Sequence, residues 1–523
     1  MTRRQREAER SLHDQHNLLP KKEVIVTLLS LAVPLLIAFV DQNGIGVTLP
    51  TIARDLHAED TITWAGTTSL IANAAFQMLY GRLSDIFGRK VVYLSAIAFL
   101  AVAALLCGFA QNHVMFYVFR GIAGIGGGGL NNLSMIIVSD VVTLQDRGYY
   151  QGILGAFIGL GNVLGPFLAA AFITHATWRA FFWTIAPFAA ILGVISFYTL
   201  PSSPPTRGFK ENARKIDFGG VFLSTTSIIF LLVPISGGGA YFPWASAMVI
   251  SLLVLGSISL LLFILWEWRI ARLPMIPVQI FRSLDISILL GQNFLLGCVY
   301  QALLYYLPLY LQNARQYSVM RSAGVIAIPV GLHGAGLMLL YRRDSPMGFI
   351  ISPLIIMGIG IGCMFQPILT ALQSHTTKSR RAVIISSRNF FRCAGGSTGL
   401  AISAAVLQAV LKKSLPTSYR YLAKSAYSLP KVEGPDAEAV LDAYMAASRA
   451  VFILQVCLIS VSLLGCVFVT DHGLRPLEEL DMITGDEELV HGQHGLSEKA
   501  IILAKNPNER ATTVVGQVDP YPD

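Results

Sequence analysis

The sequence predicts an all-α integral membrane protein, and three observations carry that expectation. Of 523 residues, 54% are hydrophobic and only 13% charged, whereas soluble domains carry about 25% charged residues; the mean hydropathy is +0.58. The apolar residues gather into long runs, many near the roughly 20 residues a helix needs to cross ~30 Å of hydrocarbon. Basic residues concentrate in alternate gaps between those runs, as the positive-inside rule requires of cytoplasmic loops.

Taken in order, residues 1–23 hold Arg3, Arg4, Arg6, Arg10, Lys21 and Lys22 without an apolar core, so a cytosolic segment is expected there and not a cleaved signal peptide. Apolar runs at 24–48, 62–80, 91–110, 114–138, 149–174 and 180–200 make a first six-helix bundle over 24–200. Residues 201–217, rich in Pro, Lys and Arg, read as a cytosolic linker. Runs at 218–236 and 245–268 form two inserted helices, residues 218–268. Further runs at 286–311, 322–341, 347–372, 388–411 and 449–470 belong to a second bundle over 269–470. A long polar loop, 412–447, precedes the last run. Residues 471–523 carry more acidic than basic side chains and read as a disordered cytosolic tail.

That gives thirteen readable spans. With the N-terminus inside, Arg82, Arg89, Lys90, Arg147, Arg207, Lys210, Arg214, Lys215, Arg269, Arg272 and Arg282 all fall in cytosolic loops through the ninth span. At the tenth, charge and parity disagree: simple threading would push Lys378, Arg380 and Arg381 outside.

The ten residues Gly81 to Lys90, GRLSDIFGRK, place four charges between two apolar runs. Gly81 and Gly88 are expected to permit a tight turn, Asp85 to cap or pair, and Arg82, Arg89 and Lys90 to mark the cytosolic face. The spacing G-x-L-x-D-x-x-G-R-K resembles the loop between helices 2 and 3 of the major facilitator superfamily. Nearly the whole chain resembles that superfamily's fourteen-spanning drug:proton antiporter branch. The resemblance implies two six-helix bundles with extra central helices, and alternating access. Against a fourteen-span pattern, about one helix and its loop are missing near 331–336. Either a piece of the gene is lost there, or 322–341 is a re-entrant segment around Pro329 and Gly331 that keeps Lys378 cytosolic.

An acid within a span is costly unless it faces a cavity or a partner, which makes Asp41 the candidate proton carrier; packing or capping is its structural alternative. Arg120, inside span 4 ahead of the glycine-rich GIAGIGGGG, carries the same cost, with snorkelling to headgroups as its alternative. The resemblance assigns it to an R-x-x-Q-G element that assists proton transfer, although Ala123 replaces the Gln. In span 5, Gly161, Gly165 and Pro166 resemble the G-x-x-x-G-P antiporter motif and imply a closely packed, bendable helix. Asp140 and Arg147, beside the next cytosolic turn, could pair with the Asp85 hairpin as a latch. Trp64, Asn73, Phe76, Gln77, Asn162, Asn293, Tyr300 and Gln301 are the candidates for lining a central cavity, each also readable as interhelical glue. Arg388 and Arg392 read as facing headgroups.

The six cysteines sit in apolar runs at irregular spacing and suggest neither disulfide nor metal chemistry. Phosphate-binding loops, zinc-protease and nucleophile-elbow motifs are absent from the sequence. No enzyme, cofactor, metal or nucleic-acid partner is therefore expected. The expectation is a monomer that moves a small molecule against a proton gradient across the plasma membrane, by efflux. The alternatives are a vacuolar transporter of basic amino acids and a non-transporting membrane receptor.

Overall fold

The computed structural model describes residues 19–58, 61–62, 64–201, 215–238, 242–310, 367–374, 376, 380–424 and 436–469, together with Met338, Tyr341 and Pro346. Eleven helices of at least twenty residues stand among them: α1 (Lys21–Asp55), α2 (Trp64–Phe87), α3 (Arg89–Gly108), α4 (His113–Val141), α5 (Leu144–His175), α6 (Trp178–Thr199), α7 (Phe218–Gly237), α8 (Ala247–Arg269), α9 (Leu284–Leu309), α10 (Arg381–Ser414) and α11 (Ala437–Cys466). All except α2 contain a stretch long and apolar enough to cross a membrane by length and composition. Nearly all of the expected span 322–341 and most of 347–372 lie outside the described residues. So do the parity question, the site near 331–336, the tail and nearly all of 1–23.

Local chemistry fixes many of the starts. Asn112, Thr143, Thr177, Asp217 and Ser246 each accept a hydrogen bond from a first-turn backbone N–H of α4, α5, α6, α7 and α8, satisfying donors that a membrane edge would otherwise strand. The burial pattern is inside-out relative to a soluble helix. On α8 the buried positions Val249, Gly256, Ser259, Phe263 and Glu267 recur at helical spacing, while Leu255, Leu261, Leu262 and Leu265 are exposed. Small and polar residues thus face α7, where Ser259 donates to the Leu223 carbonyl at 3.1 Å, and leucines face lipid.

The hairpin differs from the sequence expectation. α2 continues through Gly81 to Phe87, and the turn is made at Gly88 alone, whose φ of 90° suits glycine. Gly81 is not a turn residue. A Cβ there would lie 3.1 Å from the Ala382 carbonyl of α10, so its missing side chain lets α2 and α10 approach. α1 likewise continues past Thr48 and Pro50 to Asp55.

Of the helix pairs that pack backbone to backbone, two bear most on the site. In the first, α1 meets α5 where Cβ atoms at Gly161 and Gly165 would stand 2.7 Å from the Leu36 carbonyl and 2.8 Å from the Val40 carbonyl. In the second, α9 meets α10 through Gly297, Gly395 and Gly399, each opposed by backbone of the other helix. The chain between α8 and α9 changes neighbours along its length. Met275 and Ile276 bury against Ile71, Ala74 and Met78 of α2, among others; Arg82 Nε donates to the Pro274 carbonyl at 2.7 Å. After Pro277, the short helix Val278–Arg282 puts the Phe281 ring 6.2 Å from that of Phe391 on α10.

Candidate functional site

The two costliest side chains in the first half meet. Arg120 Nη1 of α4 donates to both carboxylate oxygens of Asp41 on α1, at 2.9 and 2.7 Å. Asp41 is 3% exposed and Arg120 1%, so the pair is shielded from both lipid and water, and Arg120 does not snorkel. The guanidinium also lies 5.9 Å from the centre of the Phe182 ring, a cation–π distance. Such a pair is held by mutual attraction against a desolvation cost of several kcal/mol per ion. Removing either charge exposes that cost.

Two residues beyond Asp41, Asn43 begins a polar string that crosses between the halves. Its Nδ2 donates to Asn162 Oδ1 of α5 at 2.5 Å, and Asn162 Nδ2 donates to Tyr300 Oη of α9 at 2.8 Å. A second cluster joins α2 to α10: Gln77 Nε2 donates to Asn73 Oδ1 at 2.7 Å and lies 3.8 Å from Cys393 Sγ, which lies 3.5 Å from Asn73 Oδ1. Asn73, Gln77, Asn162 and Tyr300 therefore stand where the halves meet. Phe76 packs half-buried in the same region. The other cavity candidates fall elsewhere. Trp64 packs near Gly237 of α7, Asn293 donates within its own helix to the Leu289 carbonyl, and Gln301 fills the space beside Gly396 in the α9–α10 contact.

Nearer the basic end, Arg89 bridges two carboxylates. Nη1 lies 2.6 Å from Asp85 Oδ1 and Nε 2.8 Å from Asp140 Oδ2. Lys90 Nζ donates to the Leu200 carbonyl at 3.1 Å, tying the hairpin to the end of α6. Arg147 takes no part in this pairing with Asp85. It is buried and reaches Gln373 Oε1 at 3.5 Å.

Asn132, inside the apolar run of α4, is a tie between the halves. Its Nδ2 donates to the Gln77 carbonyl and to Ser386 Oγ of α10, while Asn389 Nδ2 donates to Asn132 Oδ1. Arg388 adjoins it, donating to Asn389 Oδ1 at 2.9 Å. At 2% exposure it does not face headgroups. Asn43, Asn132 and Arg388 were legible only as polar residues inside apolar runs. The ties at Gly81–Ala382, Asn132–Ser386–Asn389 and Arg147–Gln373 join the halves toward the basic ends of the helices.

One tie can be tested alone. The two hydrogen bonds that Asn132 makes between the halves, at about 0.6 kcal/mol each, make Asn132→Ala worth close to a tenfold shift toward opening at the basic end. Labelling of a cysteine placed beside Gln373 by an impermeant reagent, applied to inside-out vesicles, should accelerate accordingly. An unchanged labelling rate would remove Asn132 from the closure.

Two helical halves meeting around polar groups, tied together toward the basic end and holding a buried ion pair in the membrane, define a transporter. The chain belongs to the Major Facilitator Superfamily, whose family pattern matches residues 31–342. It is 41% identical over 551 residues to Citrate exporter 1 of Yarrowia lipolytica, covering 96% of this chain and 82% of that one. It is 42% identical over 507 residues to the MFS-type transporter clz4 of Cochliobolus lunatus, covering 90% and 91%. The solved structure of the POT family transporter PepTSo superposes with a TM-score of 0.52 at 14% identity, covering 85% of this chain and 99% of that one, a likeness of fold. The protein is a multi-pass membrane transporter.

Proposed function

We propose that this transporter exports a small organic molecule in exchange for protons, across the plasma membrane, by alternating access. The observation that supports it is the Asp41–Arg120 ion pair, joined two residues away to a hydrogen-bonded string reaching α9. A proton arriving on Asp41 removes the charge that holds Arg120. The freed guanidinium then seeks another acceptor, and α1 loses its tie to α4. Asn43, Asn162 and Tyr300 carry that change from α1 to the other half. To move a two-state equilibrium from 1:99 to 99:1 takes about 5.5 kcal/mol of differential binding, which proton and cargo supply by favouring different states. Asn132, Ser386 and Asn389 hold the basic end shut until the halves rock, Asp140, Asp85 and Arg89 keep the hairpin fixed to α4 within the first half, and Gly161, Gly165 and Pro166 keep α1 and α5 moving as one.

Citrate export by the 41%-identical relative makes an organic acid the first cargo to try. The experiment is flux in proteoliposomes with an imposed pH gradient. Labelled cargo should accumulate on the acidic side, and collapse of the gradient by an ionophore should stop it. Accumulation that ignores the gradient would overturn proton coupling.

A further inference from the structure

We propose that Arg388 and Arg392 form a binding site for a small polycarboxylate between the two halves, which names the substrate class within the export reading above. Between Arg381 and Ser414, α10 carries no Asp or Glu, yet it places these two arginines one turn apart on one face. Two like charges at that spacing oppose each other, and guanidinium groups at membrane depth are costly and mark substrate paths. A headgroup role does not fit Arg388, which is buried.

The surroundings are those of the interface. Asn389, bonded to Arg388, is bonded in turn to Asn132 of α4. Cys393 contacts Asn73 and Gln77 of α2. Tyr300, bonded to Asn162 of α5, stands one turn beyond Gly297 of α9, which lies directly against the Arg392 main chain. A second observation points to a ligand: Gln77 is fully buried and its Oε1 has no hydrogen-bond partner among the described residues.

Guanidinium forks match carboxylates in plane and charge. Two forks roughly 5–6 Å apart at their Cβ atoms suit two carboxylates on a short carbon chain, and the buried, unsatisfied Gln77 carbonyl suits a hydroxyl on that chain. A monocarboxylate would engage only one of the two forks. A cation would add to the repulsion.

Binding is measured without a gradient, on purified full-length protein in nanodiscs at a pH where the acids are ionised, with citrate, succinate, acetate and a lipophilic cationic dye as probes. Wild type should bind citrate and succinate at least tenfold more tightly than acetate. Arg388→Gln and Arg392→Gln should each weaken citrate at least tenfold and erase its preference over acetate, a loss of discrimination that a purely structural defect does not produce. Arg392→Lys, which keeps the charge and loses the fork, should fall between. The idea is overturned if wild type prefers the dye or does not discriminate citrate from acetate, or if folded Gln variants bind citrate as wild type does. Absent citrate binding alongside proton-driven flux of another cargo sinks this site and leaves the export reading standing; citrate binding without flux sinks export and leaves the site.

Discussion

Asp41→Asn is expected to abolish transport driven by a pH gradient and, in addition, to destabilise the protein by about 3–5 kcal/mol, the usual cost of stripping one partner from a buried ion pair. The sequence alone suggests a milder outcome, since Asn keeps the size of Asp and a hydrogen-bonding amide. The structure changes that expectation, because Arg120, 1% exposed, would be left charged beside a neutral group. The two effects separate in a double-mutant cycle. Asp41→Asn with Arg120→Gln removes both charges, so thermal stability in detergent should recover most of the loss while gradient-driven flux stays absent. Wild-type flux in either variant would take Asp41 out of the mechanism. Stability that does not recover in the double mutant would mean that the pair is not what the single substitution broke.

Gly165→Leu is expected to be the most damaging single change in α5, preventing accumulation of folded protein. A closely packed, bendable helix, which is all the sequence implies there, would by itself suggest only slower exchange. In the structure a Cβ at this position meets the Val40 carbonyl at 2.8 Å and the Gly44 nitrogen at 3.0 Å. Both are main-chain atoms of α1, which cannot step aside as a side chain would. Even Ala forces the helices apart, and overpacking of this kind costs about 1–3 kcal/mol or more. Pro166→Ala adds no atom to that seam and should give folded protein with altered turnover. Fluorescence-detected size exclusion and thermal unfolding would rank the three. Normal folding of Gly165→Leu would show that the α1–α5 seam is looser than drawn.

Fold class was legible because desolvation of the backbone leaves few ways to cross a bilayer, and runs of apolar residues report the helices directly. Asp41 and Arg120 were legible for the same reason, as charges that hydrocarbon does not tolerate alone. Their meeting was not, since 79 residues separate them and no local pattern says which faces of α1 and α4 oppose each other. Neutral amides were harder still. Asn293 bonds to its own helix while Asn43 and Asn132 bond across helices, and the residue type is identical in all three. Glycine is ambiguous in the same way: Gly88 makes a turn by its φ, whereas Gly81, seven residues earlier, serves a helix contact. Local sequence carries dihedral preference but not the identity of a distant neighbour.

The Pro274 carbonyl, held by Arg82 at 2.7 Å, bears on where the polypeptide can stretch. Arg82 Nη1 also lies 3.8 Å from Asp85, so the hairpin grips three pieces of chain: its own turn, the end of α4 through Asp140, and the stretch that leads out of α8. As long as that grip holds, whatever slack the second half needs in order to swing must be found downstream of Pro277, in the few residues before α9 begins. The much longer basic stretch 201–217 then contributes no slack to the stroke. Its length and composition are free to drift, while the short joint ahead of α9 has its reach set by the size of the swing.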